Sequence, residues 1–139
     1  MDAKHPAMVA ARNSWHCAQA KDKQGWLGLM AEGIVIEDPI GVAPTNPDGK
    51  GIRGKAAVSD FWDSHIASTD IRIETHRSFA AGSESAHWMT LTTGFENGVR
   101  MTVHGIFTYR VDEAGKLTSL RGYWSLEEAE VLHPENAEH

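Results

Sequence analysis

One acid in this chain stands where an acid is costly. Asp38 ends the run Ile34-Val35-Ile36-Glu37-Asp38-Pro39, and the period-two alternation of a strand puts it on the same face as Ile34 and Ile36. A carboxylate on an apolar face is unfavourable unless it is paired or lines a cavity. Desolvation in such a place raises its pKa and makes it a usable general base. The same residues also read as a turn-initiating Asp-Pro with a solvated side chain, and the residues alone weigh the two readings equally. Glu37 points to the opposite face, as a surface charge.

Other patterns carry less. Gly49-Lys50-Gly51-Ile52-Arg53-Gly54 has the Gly-x-Gly-x-x-Gly spacing, but a dinucleotide site needs a strand directly before it in a parallel sheet, and here a proline-bearing loop precedes it. It reads as a flexible helix entry, with Lys50, Arg53 and Lys55 a solvated basic cluster. The eight histidines contain no His-x-x-x-His pair and Cys17 is the single cysteine, so no metal is expected. His87 and His104 occupy strand positions whose neighbours look core-facing, and both are expected to point outward. His16 and His65 read as partly exposed structural residues on helices. No serine stands in a Gly-x-Ser-x-Gly elbow, so nucleophilic catalysis finds no support, and no cofactor is expected. Among the five tryptophans, Trp15 and Trp26 read as core, whereas Trp62, Trp88 and Trp124 read as the lining of a flat apolar pocket.

These residues need elements to hold them. Met8, Ala11, Trp15 and Ala18 recur at helical spacing over 6–20, and Asp22 caps a short second helix carrying Trp26, Leu27 and Met30. Gly33 breaks that pattern, and the β-branched run 34–36 reads as a strand that ends at Pro39. A loop follows to Gly54, then a third helix over 55–67 with Ala57, Phe61, Trp62 and Ile66 on or beside one face. After Ser68 the period becomes two. Strands are expected around 71–76, 86–93, 99–111 and 117–124, with Asn97-Gly98 the strongest hairpin signal. The segment 126–139 is acidic, and 127–139 is expected to be a peripheral tail on a single domain spanning 1–139. Helices first and antiparallel strands afterwards make an α+β domain, whose sheet must curl over the helices and leave a pocket between the layers.

The bulk numbers agree with one ordinary domain. A chain of 139 residues needs no disulfide or metal staple. A net charge of −6 argues against an electrostatic nucleic-acid binder. A lone cysteine, no apolar leader and no long apolar run lead to the expectation of a cytoplasmic protein without a membrane span.

At Val35-Ile36-Glu37-Asp38-Pro39-Ile40-Gly41 the sequence resembles the ketosteroid isomerase branch of the nuclear transport factor 2-like (SnoaL-like) superfamily. Phe107-Thr108-Tyr109-Arg110-Val111 and Arg121-Gly122-Tyr123-Trp124 extend the resemblance, which covers roughly 8–126. It implies a cone-shaped, cystatin-like α+β barrel, a curved and mostly antiparallel sheet wrapped around three helices with a deep apolar pocket, usually as a homodimer. It also implies that Asp38 is the general base, taking a proton from the carbon between carbonyl and alkene and returning it at the far end of the dienolate. Ketosteroid isomerase is the known instance of this pKa logic.

The resemblance departs where the base needs help. The oxyanion-hole tyrosine of the first helix aligns with Ser14, and the protonated aspartic acid of the penultimate strand aligns with Phe107. Phenylalanine donates no hydrogen bond, and the serine hydroxyl is shorter by a ring. Losing one such donor costs about a hundred- to a thousand-fold in rate, so weak isomerase activity is expected unless Tyr109, Tyr123 or an indole N–H substitutes. The pocket positions implied are Phe61, Trp62, Trp88, Thr90, Thr92, Leu120 and Trp124, with Met30 and Phe107 near the base and Tyr109 beside them. A steroid-like hydrophobic ligand is implied. Three readings follow: an isomerase, a related dehydratase, cyclase or epoxide-opening enzyme, and a steroid or lipid binder without turnover. The epoxide reading wants an arginine in the site, and the alternation points Arg100 and Arg121 outward. Leu91 and Ile106 are read as outward apolar residues that leave surface for a partner to cover.

Overall fold

The computed structural model describes residues 4–134. Helix α1 (Pro6–Ala20) starts with Pro6 in its first turn and His5 capping the Ala7 N–H, and it ends at Lys21 in the left-handed region. Asp22 accepts from the Gly25 N–H and starts α2 (Lys23–Gly28), as its cap residue predicts. Strand β1 (Met30–Glu37) begins four residues before the β-branched run, because Gly33 lies inside the strand, where a register irregularity falls between Met30 and Val35. Strand β2 (Ile52–Arg53) precedes α3 (Lys55–Phe61), and the expected single helix over 55–67 is divided there: Trp62–Ile66 continues as one π-helical turn. That turn changes the angular phase of the side chains.

The rest is sheet: β3 (Asp70–Ala81), β4 (Glu84–Gly94), β5 (Arg100–Val111), β6 (Leu117–Tyr123) and, after a short 3-10 turn, β7 (Glu130–Leu132). The order is β2-β1-β6-β5-β4-β3, with β7 added on β5. All pairs are antiparallel except β1 with β6. The architecture is the α+β one expected, with a correction: the sheet is open rather than a closed barrel, since β2 and β3 are its two edges. Of the acidic segment, 130–132 is a strand, and 135–139 lies outside the described residues.

The face of β4 differs from the sequence reading. Ser85, His87 and Met89 are buried, while Trp88 is 52% exposed. The register explains it: His87 pairs with Phe107, Met89 with Gly105 and Leu91 with Val103, and directly paired residues share a face. His87 and Leu91 therefore point inward, contrary to expectation, and Trp88, Thr90 and Thr92 point outward. The hairpin loop sets this phase. A two-residue Asn97-Gly98 loop would pair Glu96 with Val99 and carry Trp88 opposite Phe107. Instead the Phe95 N–H bonds the Val99 carbonyl across three residues, with Gly98 at φ +88°, the glycine-closed three-residue alternative. A one-residue slip turns every side chain over.

Candidate active site

A cavity lies between the helices and the concave face of the sheet. It encloses about 160 Å³, and the free space reaches about 930 Å³ when the open mouth is counted. Ser14, Trp15 and Ala18 of α1 and His65 and Ile66 of the π turn form the helical side. Ile71, Ile73, Met89, Leu91, Met101 and Phe107 form much of the sheet side, so most of the wall is apolar.

Asp38 follows β1 directly and projects into this cavity. Trp124 Nε1 donates to its Oδ1 at 2.6 Å. Its other oxygen meets no hydrogen-bond donor among the described residues. The carboxyl retains surface toward the cavity but is otherwise surrounded by protein. Burial therefore pushes its pKa up, against the smaller opposing effect of the indole hydrogen bond. The backbone behind it is pinned: Thr45 Oγ1 donates to the Asp38 carbonyl at 2.6 Å, and buried Asn46 bridges the Pro39 carbonyl and the Gly51 N–H. The Asp38–Pro39 bond is cis. Gly122 makes room for the carboxylate. A Cβ there would stand 2.7 Å from Asp38 Oδ1 and 2.9 Å from Trp124 Nε1. The acid, its donor and a glycine thus form one unit, which spacing in the sequence does not reveal.

A second polar cluster lies behind the wall. His87 is fully buried, with Ser78 Oγ at 2.7 Å from Nδ1 and Ser85 Oγ at 2.8 Å from Nε2. Ser85 donates its own hydrogen to the Ala7 carbonyl, so it accepts from Nε2–H. Burial keeps the ring neutral, and Nδ1 of a neutral ring then accepts from Ser78. Desolvation, helped by the Arg12 charge, lowers its pKa to about 4. Trp15 and Tyr109 pack edge-on against it at 4.8 and 5.4 Å between ring centres, and Trp15 Nε1 donates to Tyr109 Oη at 2.8 Å.

The structure brings together on the cavity wall Asp38, Ser14, Phe61, Phe107, Tyr109, Leu120 and Trp124. Met30 and Trp62 are buried in the core and do not line the cavity; the π turn hands that place to His65 and Ile66 while Trp62 packs on Trp26. Trp88, Thr90 and Thr92 are corrected more sharply. They stand on the outer face, where Thr90 Oγ1 lies between His76 and His104, and Thr92 pairs with Thr102. Trp15 and Trp26, read as plain core, both reach the wall, and the indole of Trp26 donates to Ser14 Oγ at 3.2 Å. Met89, Met101, Ile71 and Ile73 complete the wall without any sequence signal beyond alternation. Arg121 pairs with Glu37 at 3.0 Å on the opposite face, so no arginine accompanies Asp38. The Gly49–Gly54 segment contains β2 itself and lies against β1, with Gly51 passing close to Val35. Among the described residues no three metal-ligating side chains converge and no helix is long and apolar enough to cross a membrane.

An acid over a glycine in an apolar cavity, under an open sheet and three helices, defines a class. The sequence model of the SnoaL-like domain matches residues 11–120, and the chain belongs to that nuclear transport factor 2-like family. Among solved structures it is similar to the delta 5-3-ketosteroid isomerase from Mycobacterium sp., with 48% identity and a TM-score of 0.89 over 91% of this chain and 98% of that one. RV0760c from Mycobacterium tuberculosis, in complex with estradiol-17beta-hemisuccinate, is 47% identical with a TM-score of 0.87 over 90% and 98% of the two chains. A computationally designed 17-OHP binder is 46% identical at a TM-score of 0.89, over 91% and 98%. No curated protein matches the chain.

Proposed function

We propose that this protein is a proton-transfer enzyme of the ketosteroid isomerase type, acting on a flat hydrophobic ketone. The carrying observation is the Asp38–Trp124 pair in an apolar cavity. Asp38 takes the proton from the carbon between carbonyl and alkene. The electron pair moves into the dienolate, and the same carboxyl returns the proton at the far carbon, so nothing is consumed. Burial keeps the carboxylate basic enough to act, and the indole N–H holds one oxygen while the other meets the substrate. Similarity to a ketosteroid isomerase and to two steroid-associated structures supports the ligand class.

The test is to mix the protein with a β,γ-unsaturated ketosteroid and follow the absorbance of the conjugated enone, with Asp38→Asn as control. Turnover that vanishes in the variant supports the base; turnover unchanged in it overturns the assignment. One observation favours a second reading, a steroid-binding protein without turnover: Phe107 supplies no donor where the family has one. Tryptophan quenching by the steroid with no product, unchanged by Asp38→Asn, would select that reading. The proposal includes a homodimer, supported by the exposed row Trp88, Ile106 and Tyr123 across β4, β5 and β6. Sedimentation of the intact chain tests it, and a monomer at micromolar concentration would remove it.

A further inference from the structure

We propose that Tyr109 donates the hydrogen bond to the ketone oxygen of the ligand, in the role left vacant by Ser14 and Phe107. The inference rests on the reading above and assigns the electrophilic partner of Asp38.

The cavity's polar groups can be counted by what each has left to give. The indoles of Trp15, Trp26 and Trp124 are spent on Tyr109, Ser14 and Asp38, and the Thr45 hydroxyl is spent on the Asp38 carbonyl. Tyr123 is exposed, with its oxygen accepting from Arg121, and is not on the wall. Four groups keep a hydrogen for a ligand: the hydroxyls of Tyr109, Ser14 and Thr93, and the His65 ring. Thr93 lies two residues from half-exposed Phe95, away from the base, and His65 stands on the helical side against Phe61. Ser14 and Tyr109 remain, each accepting from an indole.

Position along β5 and the hydrogen bond from Trp15 decide between them. Tyr109 pairs with Leu120 and Phe107 pairs with Gly122, the residue under the Asp38 carboxylate. Tyr109 is thus the next inward position along β5 from the row of the base. Its ring is held by the edges of Trp15 and His87, and only its hydroxyl is free to choose a partner. Because Trp15 occupies a lone pair, the phenolic hydrogen turns elsewhere and becomes a better donor. Burial, together with the nearby Asp38 charge, keeps the phenol protonated. The ligand then enters ketone first, its apolar body lying toward Met101 and Phe95.

The experiment compares wild type, Tyr109→Phe and Ser14→Ala for isomerisation of a β,γ-unsaturated ketosteroid and for binding of equilenin, a planar steroid phenol that mimics the dienolate. Tyr109→Phe is expected to lower kcat by about 100- to 1,000-fold with KM little changed. A kcat within about threefold of wild type, or a larger loss in Ser14→Ala, overturns the proposal. If wild type shows no turnover, the proton-transfer reading fails by itself. The donor is then read from equilenin affinity in Asp38→Asn with and without Tyr109→Phe: a loss of about tenfold or more supports it, and equal affinity overturns it. Trp15→Phe guards against misfolding of Tyr109→Phe. It retains the phenol, so a smaller loss than in Tyr109→Phe supports direct donation, and an equal or larger one overturns it.

Discussion

Asp38 and His87 are both ionisable groups removed from bulk water, and they meet opposite fates. Both nitrogens of His87 are satisfied, by Ser78 and Ser85, and Trp15 and Tyr109 close over its ring. Asp38 lines the cavity with one oxygen satisfied by Trp124 and the other without a donor among the described residues. Desolvation acts on each in the direction that removes charge, downward for the base and upward for the acid. The difference lies in unspent hydrogen-bonding capacity beside a cavity. A buried group with nothing left to bond is structure; one with an open oxygen facing space is available for chemistry.

The comparison breaks most visibly at Asp38. Asp38→Asn should cut isomerisation by about 1,000-fold or more, the upper range for a general base, while leaving steroid quenching of tryptophan fluorescence in place. His87 should show no such effect on chemistry but a large one on acid stability. Its pKa is about 4 folded against 6.5 in the unfolded chain. Its contribution is therefore complete above the unfolded value and lost as pH falls through 6.5 toward 4, about 3 kcal/mol in total. Urea midpoints of wild type and His87→Gln over that window check this: the variant should be weaker at neutral pH and flatter below it.

Gly122→Ala sharpens the contrast from the other side, since it touches Asp38 and Trp124 without changing either. The new methyl cannot coexist with their present geometry, and a displacement of this kind costs about 100-fold in kcat. An unchanged rate would show that the carboxylate position is not critical. Next in size is the stability sign at Asp38. Its folded pKa lies above the unfolded one, so ionisation costs the native state more as pH rises. Asp38→Asn should therefore be more stable than wild type at pH 7, and the gap should close toward pH 4. Equal stabilities across that range would mean the carboxylate is not desolvated. The smallest effect is expected outside both clusters: Trp88→Ala should leave ligand affinity within about twofold, because its side chain stands on the outer face against His76 and does not line the cavity.

Much of the fold was legible because it rests on local signals. Pro6, Asp22 and the helical spacing of Ala11, Trp15 and Ala18 announce the first two helices, and the strong alternation from Val99 to Val111 announces β5 and its inner face. The strand-ending Asp38 on the side of Ile34 and Ile36 was readable for the same reason. The boundaries that failed have local causes of another kind. Gly33 breaks a helix pattern and equally tolerates an irregular strand, and the π turn at Trp62–Ile66 leaves no compositional mark.

What the amino-acid sequence by itself determined is the α+β order, the acid at the end of an apolar strand, and the family resemblance on which the proposed ligand class rests. The tertiary structure alone decided which face of β4 looks inward. Its two faces are nearly balanced in polarity, His87, Met89 and Leu91 against Trp88, Thr90 and Thr92, so periodicity cannot choose. One extra loop residue between Phe95 and Val99 chooses. The same holds for the site's polar pairs. Trp15 with Tyr109, Trp26 with Ser14 and Trp124 with Asp38 lie 94, 12 and 86 residues apart in the chain. Hydrogen bonds over such separations exist only once strand register and helix docking bring their atoms within 3 Å or so of one another.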